Sequence, residues 1–308
     1  MKSAVLITGG TGLVGSALTK ALMQKGYRVI ILTRSIGEKK ETENLSYALW
    51  DVKKQQIDLA AVQKADYIVH LAGAGVVEKK WTEAYKKEIV ESRTESSRLI
   101  IDSLKNKANN VKAVISASAI GYYGPDSQLA KPFTEDDVND DSFLGNTCKL
   151  WEESIKPVTT LDKRLVTLRT GIVLSNDGGA LAEFIKPIRF GMAAILGTGN
   201  QMVSWIHIDD LCRLFIAAIE NENLQGTYNA VAPEPVTNKK LTLNLAKVMN
   251  GKLYIPFHVP VFMLKLMMGQ RSIEVLKSAT VSCKKIMDTG FTFNFNSIES
   301  ALDNLVKK

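Results

Sequence analysis

The segment Ile7-Thr8-Gly9-Gly10-Thr11-Gly12-Leu13-Val14-Gly15 decides how this chain folds. Before it, Ala4-Val5-Leu6-Ile7-Thr8 is a short apolar run of the kind a buried strand shows. After it, Val14, Ala17, Leu18, Ala21 and Leu22 fall on one helical face, and Gly26 supplies a stop. Gly9, Gly12 and Gly15 lie where the strand turns into the helix. Glycine there admits a positive φ, close backbone approach to a ligand and close helix–strand packing. The free N–H groups and dipole of the new helix favour phosphate. A second strand, Arg28-Val29-Ile30-Ile31-Leu32, follows, so the triplet sits in strand–turn–helix–strand context. The spacing is GxxGxxG, and a turn without a ligand seldom needs three glycines at these offsets.

Composition sets the outer bounds. With 308 residues, 45% hydrophobic and 23% charged, the chain suits one large globular domain or one and a half. No apolar run approaches the ~18 residues of a membrane span, and the immediate entry into a strand leaves no room for a signal peptide. The net charge is +7, but the lysines fall in scattered pairs such as Lys39-Lys40 and Lys284-Lys285, without interleaved aromatics. Neither a nucleic-acid nor a membrane partner is therefore expected. A positive field suits an anionic cofactor and substrate instead. The three cysteines, Cys148, Cys212 and Cys283, form no CxxC pair and read as reduced thiols of a cytoplasmic protein.

Strand and helix patterns alternate onward. Strands are expected at 28–32, 46–50, 66–72, 112–117 and 164–169, and helices at 59–64, 82–104 and 142–155. Such alternation implies a parallel, doubly wound sheet with its ligand at the carboxyl ends of the strands. After 175 the pattern changes. Glycines cluster, a helix opens at Asp210, a second follows the expected cap Thr237, and a Met-rich apolar helix covers Phe262 to Met268. The expected division is a dinucleotide-binding domain over 1–175, with sheet elements returning near 203–232. A substrate-binding part would cover 176–308 and include a small C-terminal domain at about 255–305.

The second strand ends Leu32-Thr33-Arg34-Ser35, with no acid before Glu38. A carboxylate there would suit the ribose hydroxyl of NAD, whereas a guanidinium pairs with the extra phosphate of NADP. Arg34 thus favours NADP over NAD. Asp51 either accepts from the adenine amine or starts a turn.

These pieces resemble the extended short-chain dehydrogenase/reductase superfamily, and within it an epimerase-like group of unsettled substrate. The resemblance rests on Thr8 to Gly15, on His70-Leu71-Ala72-Gly73-Ala74, Glu91-Ser92-Arg93 and Ser116 to Gly124, and on Leu168 to Leu174 and Ser204 to Leu211. It implies a Rossmann-type α/β domain, a smaller C-terminal α/β substrate domain, NAD(P) binding along Gly9, Thr11, Gly12, Leu13, Val14, Gly15, Leu71, Ala72 and Gly73, and a homodimer as an option. The superfamily's usual chemistry uses Tyr-x-x-x-Lys on a helix with a serine from the preceding strand, because a spacing of four puts both side chains on one helix face. None of the eight tyrosines is followed by lysine at that spacing. Lys149 stands at the expected lysine place, to touch the nicotinamide ribose or simply face solvent, but Gly145 precedes it by four. Ser118 matches the serine. Tyr122 or Tyr123 offers a substitute phenol or a pocket wall. Arg93 either reaches the cleft or is an exposed helix charge. Gln201 and Trp205 are further candidates. His207 before Asp209 and Asp210 lacks metal-ligand partners, and an aspartate is expected to cap the helix there. The expected function is an NADP(H)-dependent oxidoreductase or epimerase acting on a small carbonyl or carbinol, such as a nucleotide sugar. Its rival is a catalytically silent NADP(H)-binding sensor or scaffold.

Overall fold

The computed structural model describes residues 3–37, 39–106, 108–126 and 131–306; Glu38 lies outside them. The chain opens with β1 (Ala4–Thr8), α1 (Leu13–Gln24), β2 (Arg28–Thr33), β3 (Leu45–Asp51), β4 (Gln56–Ile57), α2 (Leu59–Lys64), β5 (Tyr67–His70), α3 (Glu83–Asn106), β6 (Ala113–Ala119), α4 (Phe143–Ile155) and β7 (Arg164–Thr170). Then come β8 (Ile172–Ser175), β9 (Gly178–Gly179), α5 (Ala180–Ile188), β10 (Met192–Leu196), β11 (Met202–Val203), β12 (Trp205–His207), α6 (Ile208–Glu220) and β13 (Gly226–Ala230). The last stretch holds β14 (Val236–Thr237), α7 (Asn238–Asn250), β15 (Ile255–Val259), α8 (Val261–Met268), α9 (Ser272–Leu276), α10 (Lys284–Met287) and α11 (Ile298–Val306).

The main sheet runs β13-β7-β6-β5-β1-β2-β3-β4. Its pairings are parallel except β3 with the short β4. Every residue of β1 is buried, as a central parallel strand covered on both faces requires. Alternate residues then feed two apolar layers. Val5, Ile7, Ile115, Val166 and Leu168 pack with residues of α1 and α6. Leu6, Ile68, Val114 and Leu165 pack with residues of α2, α3 and α4 on the other face. This is the Rossmann-like α/β arrangement expected, and it brings the carboxyl ends of β1, β5 and β6 together at one edge.

The later elements form three small sheets, β12-β8-β9, β10-β15 and β11-β14. Only β13 returns to the main sheet; β12 pairs with β8 instead. The C-terminal tail is stitched to the body. Asp126 accepts from the Ser278 and Thr280 hydroxyls and from the Thr280 N–H. Ile286, Ile298, Leu302 and Leu305 share the core of α6. Thr237 caps α7 as expected, its hydroxyl accepting from the Lys240 N–H. The cap of α6 is a correction: His207 Nδ1 accepts from the Asp209 N–H at 3.0 Å. Asp210 is buried and instead receives the N–H groups of Asn294 and Phe295 and the Arg213 guanidinium, so it anchors the tail. Among the described residues no helix is long and apolar enough to cross a membrane.

Candidate functional site

The turn from β1 to α1 is built for backbone approach. Gly9 has φ +69°, and a side chain there would press on the Leu71–Ala72 peptide. A Cβ on Gly15 would collide with the Gly9 carbonyl and Gly10, so only glycine lets the first helical turn lie on the loop. Gly12 is the N-cap and contributes no side-chain hydrogen bond, and the first turn of α1 carries no acid. The first helical bond is Ser16 N–H to the Gly12 carbonyl, leaving the N–H groups of Leu13, Val14 and Gly15 without an intrahelical partner. Thr11 is exposed beside them. Such a helix start favours an anion.

A second wall stands opposite. The Thr8 hydroxyl accepts from the N–H groups of Leu71 and Ala72, both at 3.1 Å, and lies 2.8 Å from His70 Nδ1. Its own proton therefore goes to Nδ1. The Ser96 and Ser97 hydroxyls, which donate to backbone carbonyls, face His70 Nε2 at 3.4 and 3.3 Å, so Nε2 carries the ring proton. Burial first, and Arg93 second, push the His70 pKa down to about 3; the ring is neutral and structural. It fixes the Leu71-Ala72-Gly73 segment against β1.

Arg93 takes an intermediate position. Its NH1 donates to the Ala74 and Ile89 carbonyls, its guanidinium lies 4.9 Å from the Trp151 ring, and it packs beneath Gly73. Burial lowers its pKa. It is neither a solvated helix charge nor an open arm, but the support of the Gly73–Ala74 loop.

Arg34 follows β2, is exposed, and forms no salt bridge among the described residues. Asp51 does not face a ligand in the same way. Its Oδ1 accepts from the Lys53 and Lys54 N–H groups, making the turn into β4.

The corner between β6 and α4 differs most from expectation. Ser118 is buried and donates to Glu152 at 2.6 Å. Glu152 is bound bidentately by Arg169, with Nε–Oε1 at 2.8 Å and NH2–Oε2 at 2.9 Å, and the side chains are 15% and 5% exposed. Burial alone would lower the Arg169 pKa, but the hydrogen bonds and charge of Glu152 outweigh it and raise it. Arg169 NH1 also donates to the Tyr123 hydroxyl, which donates to Asn229 Oδ1 at 2.7 Å. Tyr123 is fully buried with its hydroxyl held between Arg169 and Asn229, and burial is the main cause that pushes its pKa up to about 12, so it stays protonated and out of reach of a ligand. Tyr122 is half-buried with its ring 3.5 Å from the Arg169 guanidinium carbon.

Lys149 takes the solvent-facing alternative. It is exposed on the outer side of α4, where it lines a groove of about 850 Å³ with Tyr122, Glu152, Thr167 and Thr227. That groove runs from Tyr122, just past the carboxyl end of β6, down the flank of the sheet to Arg164 at the amino end of β7. The inward pair at the same spacing is Leu144 and Cys148, one residue earlier; both approach Gly121 in the turn after β6. A tyrosine at 145 has no room, since a Cβ there would collide with the Asp140 carbonyl. The signal was present in the sequence: Leu144, Cys148, Trp151 and Ile155 form an apolar stripe of 3–4 spacing that turns 148 in and 149 out. Burial pushes the Cys148 thiol up to about 12. Gln201 and Trp205 serve the framework too. Gln201 donates to the Leu196 and Val275 carbonyls, and Trp205 Nε1 to the Glu234 carbonyl. Among the described residues no cluster of metal-ligating side chains exists.

A glycine-lined helix start at the carboxyl edge of a doubly wound parallel sheet defines an NAD(P)-binding fold of the Rossmann type. Family comparison sharpens this. Residues 5–154 match the NAD dependent epimerase/dehydratase family, and residues 259–305 match a domain of unknown function, DUF1731. The chain is 33% identical to the epimerase family protein YfhF of Bacillus subtilis, over 98% of this chain and 97% of that one. It is 35% identical to the epimerase family protein SH2119 of Staphylococcus haemolyticus, over 98% of each. The chain therefore belongs to the NAD dependent epimerase/dehydratase family. Among solved structures, human epimerase family protein SDR39U1 with NADPH superposes with a TM-score of 0.85 at 28% identity, covering 99% of both chains. UDP-glucuronic acid 4-epimerase of Bacillus cereus, with NAD, gives 0.79 at 19% identity, over 99% of this chain and 98% of that one, and shows the shared fold.

Proposed function

We propose that the protein is an NADP(H)-dependent oxidoreductase or epimerase acting on a small carbonyl or carbinol compound, with nucleotide sugars as the first class to test. The observation that carries this is the open, uncapped start of α1 behind Gly9 and Gly12, paired with the exposed guanidinium of Arg34 at the end of β2, which forms no salt bridge among the described residues. The N–H groups of Leu13, Val14 and Gly15 hold the pyrophosphate. Arg34 pairs with the 2′-phosphate, and Leu71, Ala72 and Gly73 floor the site. When bound, the dinucleotide supplies or accepts a hydride. Tyr122, the one tyrosine of its pair not sealed in the core, handles the proton. Ser118 acts through Glu152 by holding the end of β6 in place. The human relative solved with NADPH supports the NADP preference. The location is proposed to be cytoplasmic.

A second reading has its own observation. Leu144 and Cys148 occupy the inward face of α4 where an acid–base pair would stand, which favours a binding module without turnover. Calorimetric titration separates these cases from each other and from error. NADPH should bind at least about tenfold tighter than NADH, and Arg34→Ala should erase that difference, as expected for loss of one charge-assisted contact. No heat with either nucleotide overturns both readings. Binding without NADPH oxidation across aldehydes, ketones and nucleoside diphosphate sugars, unchanged by Tyr122→Phe, selects the silent module.

A further inference from the structure

The lobe built from β10, β15 and α8 leaves a large apolar face uncovered. β15 pairs only with β10, and four of its five residues are exposed. α8 follows at once and buries only Leu264. Phe190, Leu253, Ile255, Phe262, Leu266 and Met267 are between 67% and 84% exposed. At ~200 Å² per large side chain, these six alone present on the order of 800 Å². So much exposed apolar area on one lobe marks an interaction surface.

Charge and backbone narrow the occupant. From Pro235 to Ile273 the chain holds six cations and no Asp or Glu. Arg189, Lys252 and Lys265 each stand directly beside an exposed apolar residue, Phe190, Leu253 and Leu266, and none of the three forms a salt bridge among the described residues. The Ile255 N–H bonds to the Gly191 carbonyl, so alternate residues of β15 turn toward β10. Pro256 falls on the outward alternate and offers no N–H, which blunts the edge against an added strand. A second copy on this face would set cationic rim against cationic rim.

We infer that this face docks on an anionic phospholipid surface. α8 lies flat, Phe262, Leu266 and Met267 enter the acyl boundary, and Arg189, Lys252 and Lys265 meet the lipid phosphates. The lack of a spanning run bears on crossing a bilayer, not on lying against it.

Sedimentation of the full chain with phosphatidylcholine vesicles, with and without phosphatidylserine, tests this. Phosphatidylserine should raise binding at least about tenfold, as three cations near a charged surface predict. Lys252→Glu with Lys265→Glu should remove that increment, as should high salt. Phe262→Ser with Leu266→Ser should abolish binding to both vesicle types. Since these side chains are exposed, both double variants should keep the parent's melting temperature and NADPH affinity. Absence of phosphatidylserine-dependent binding overturns the inference, as does equal binding by the serine variant. A stable dimer that the serine variant dissociates, seen by analytical ultracentrifugation, assigns the face to a second copy and overturns it as well.

Discussion

Two strand-to-helix corners stand at the carboxyl edge of the sheet, separated by β5, and they have opposite characters. The β1–α1 corner keeps its polar groups open. Its helix start has no capping side chain, and its glycines clear the approach. At the β6–α4 corner the polar groups are used up internally. Ser118, Glu152, Arg169, Tyr123 and Asn229 satisfy one another, and Leu144 with Cys148 fills the inner helix face. A buried polar group must find a partner, so a corner that must greet a ligand leaves donors open, and one that holds the fold closes them. The proposed nucleotide site lies at the first corner. The second is framework, and the inward face of α4 there carries Leu144 and Cys148.

The sharpest way to break this contrast is to unpair the framework corner. Glu152→Ala would leave the Arg169 guanidinium buried without its carboxylate, and stability should fall by about 3–5 kcal/mol in urea unfolding. NADPH affinity of the folded variant should stay near the parent's. A loss under about 1 kcal/mol would mean that solvent already screens the pair. Glu152→Gln, which keeps one acceptor for Ser118, should fall between.

Gly15→Ala probes the other corner. Its Cβ would strike the Gly9 carbonyl and Gly10, main-chain atoms that cannot swing aside. Overpacking of this kind costs about 1–3 kcal/mol. Because it pushes the helix start off the loop, NADPH affinity should drop at least about tenfold, measured by calorimetry. Weakened stability with intact affinity would show that the N–H groups are not the phosphate site.

His70 links the β1–α1 corner to α3, and pH tests that link. The imidazole takes up a proton near 6.5 in the unfolded chain but only near 3 in the fold. Between those values the unfolded state holds the extra proton, so stability is full above about 6.5 and declines as pH falls toward 3. The slope attributable to this one group is ~1.4 kcal/mol per pH unit. His70→Gln should flatten the decline in denaturant titrations across that range. An unchanged slope would mean that other groups set the acid limit.

The β1–α1 corner was legible in the sequence because all its signals are local: an apolar run, three glycines and a helical stripe within one short segment. The buried parallel strands were legible for the same reason. The long-range pairings were not. Arg169 reads as a strand residue like any other until the fold brings Glu152 to it, and β10 and β15 meet only after both α6 and α7 have intervened. Asp51 and Asp210 show a further limit. A carboxylate at a turn or helix start has several backbone N–H groups within reach, and tertiary packing chooses among them.

The smallest expected effect is the most diagnostic for α4. One residue of helix rotation is about 100°, so Lys149 and Cys148 cannot both face the same cleft. The structure points Cys148 toward Gly121 and Lys149 toward the flank groove. Lys149→Ala should therefore change stability by no more than about 0.5 kcal/mol, the usual range for an exposed site, and leave the NADPH dissociation constant within error. Cys148→Leu, a bulkier residue on the inward face, should cost more, about 1–3 kcal/mol by overpacking. The order of the two variants fixes the helix register in solution. If Lys149→Ala instead weakened NADPH several-fold while Cys148→Leu was silent, α4 would be rotated toward the superfamily's usual arrangement. The closed reading of the β6–α4 corner would then fail at its base.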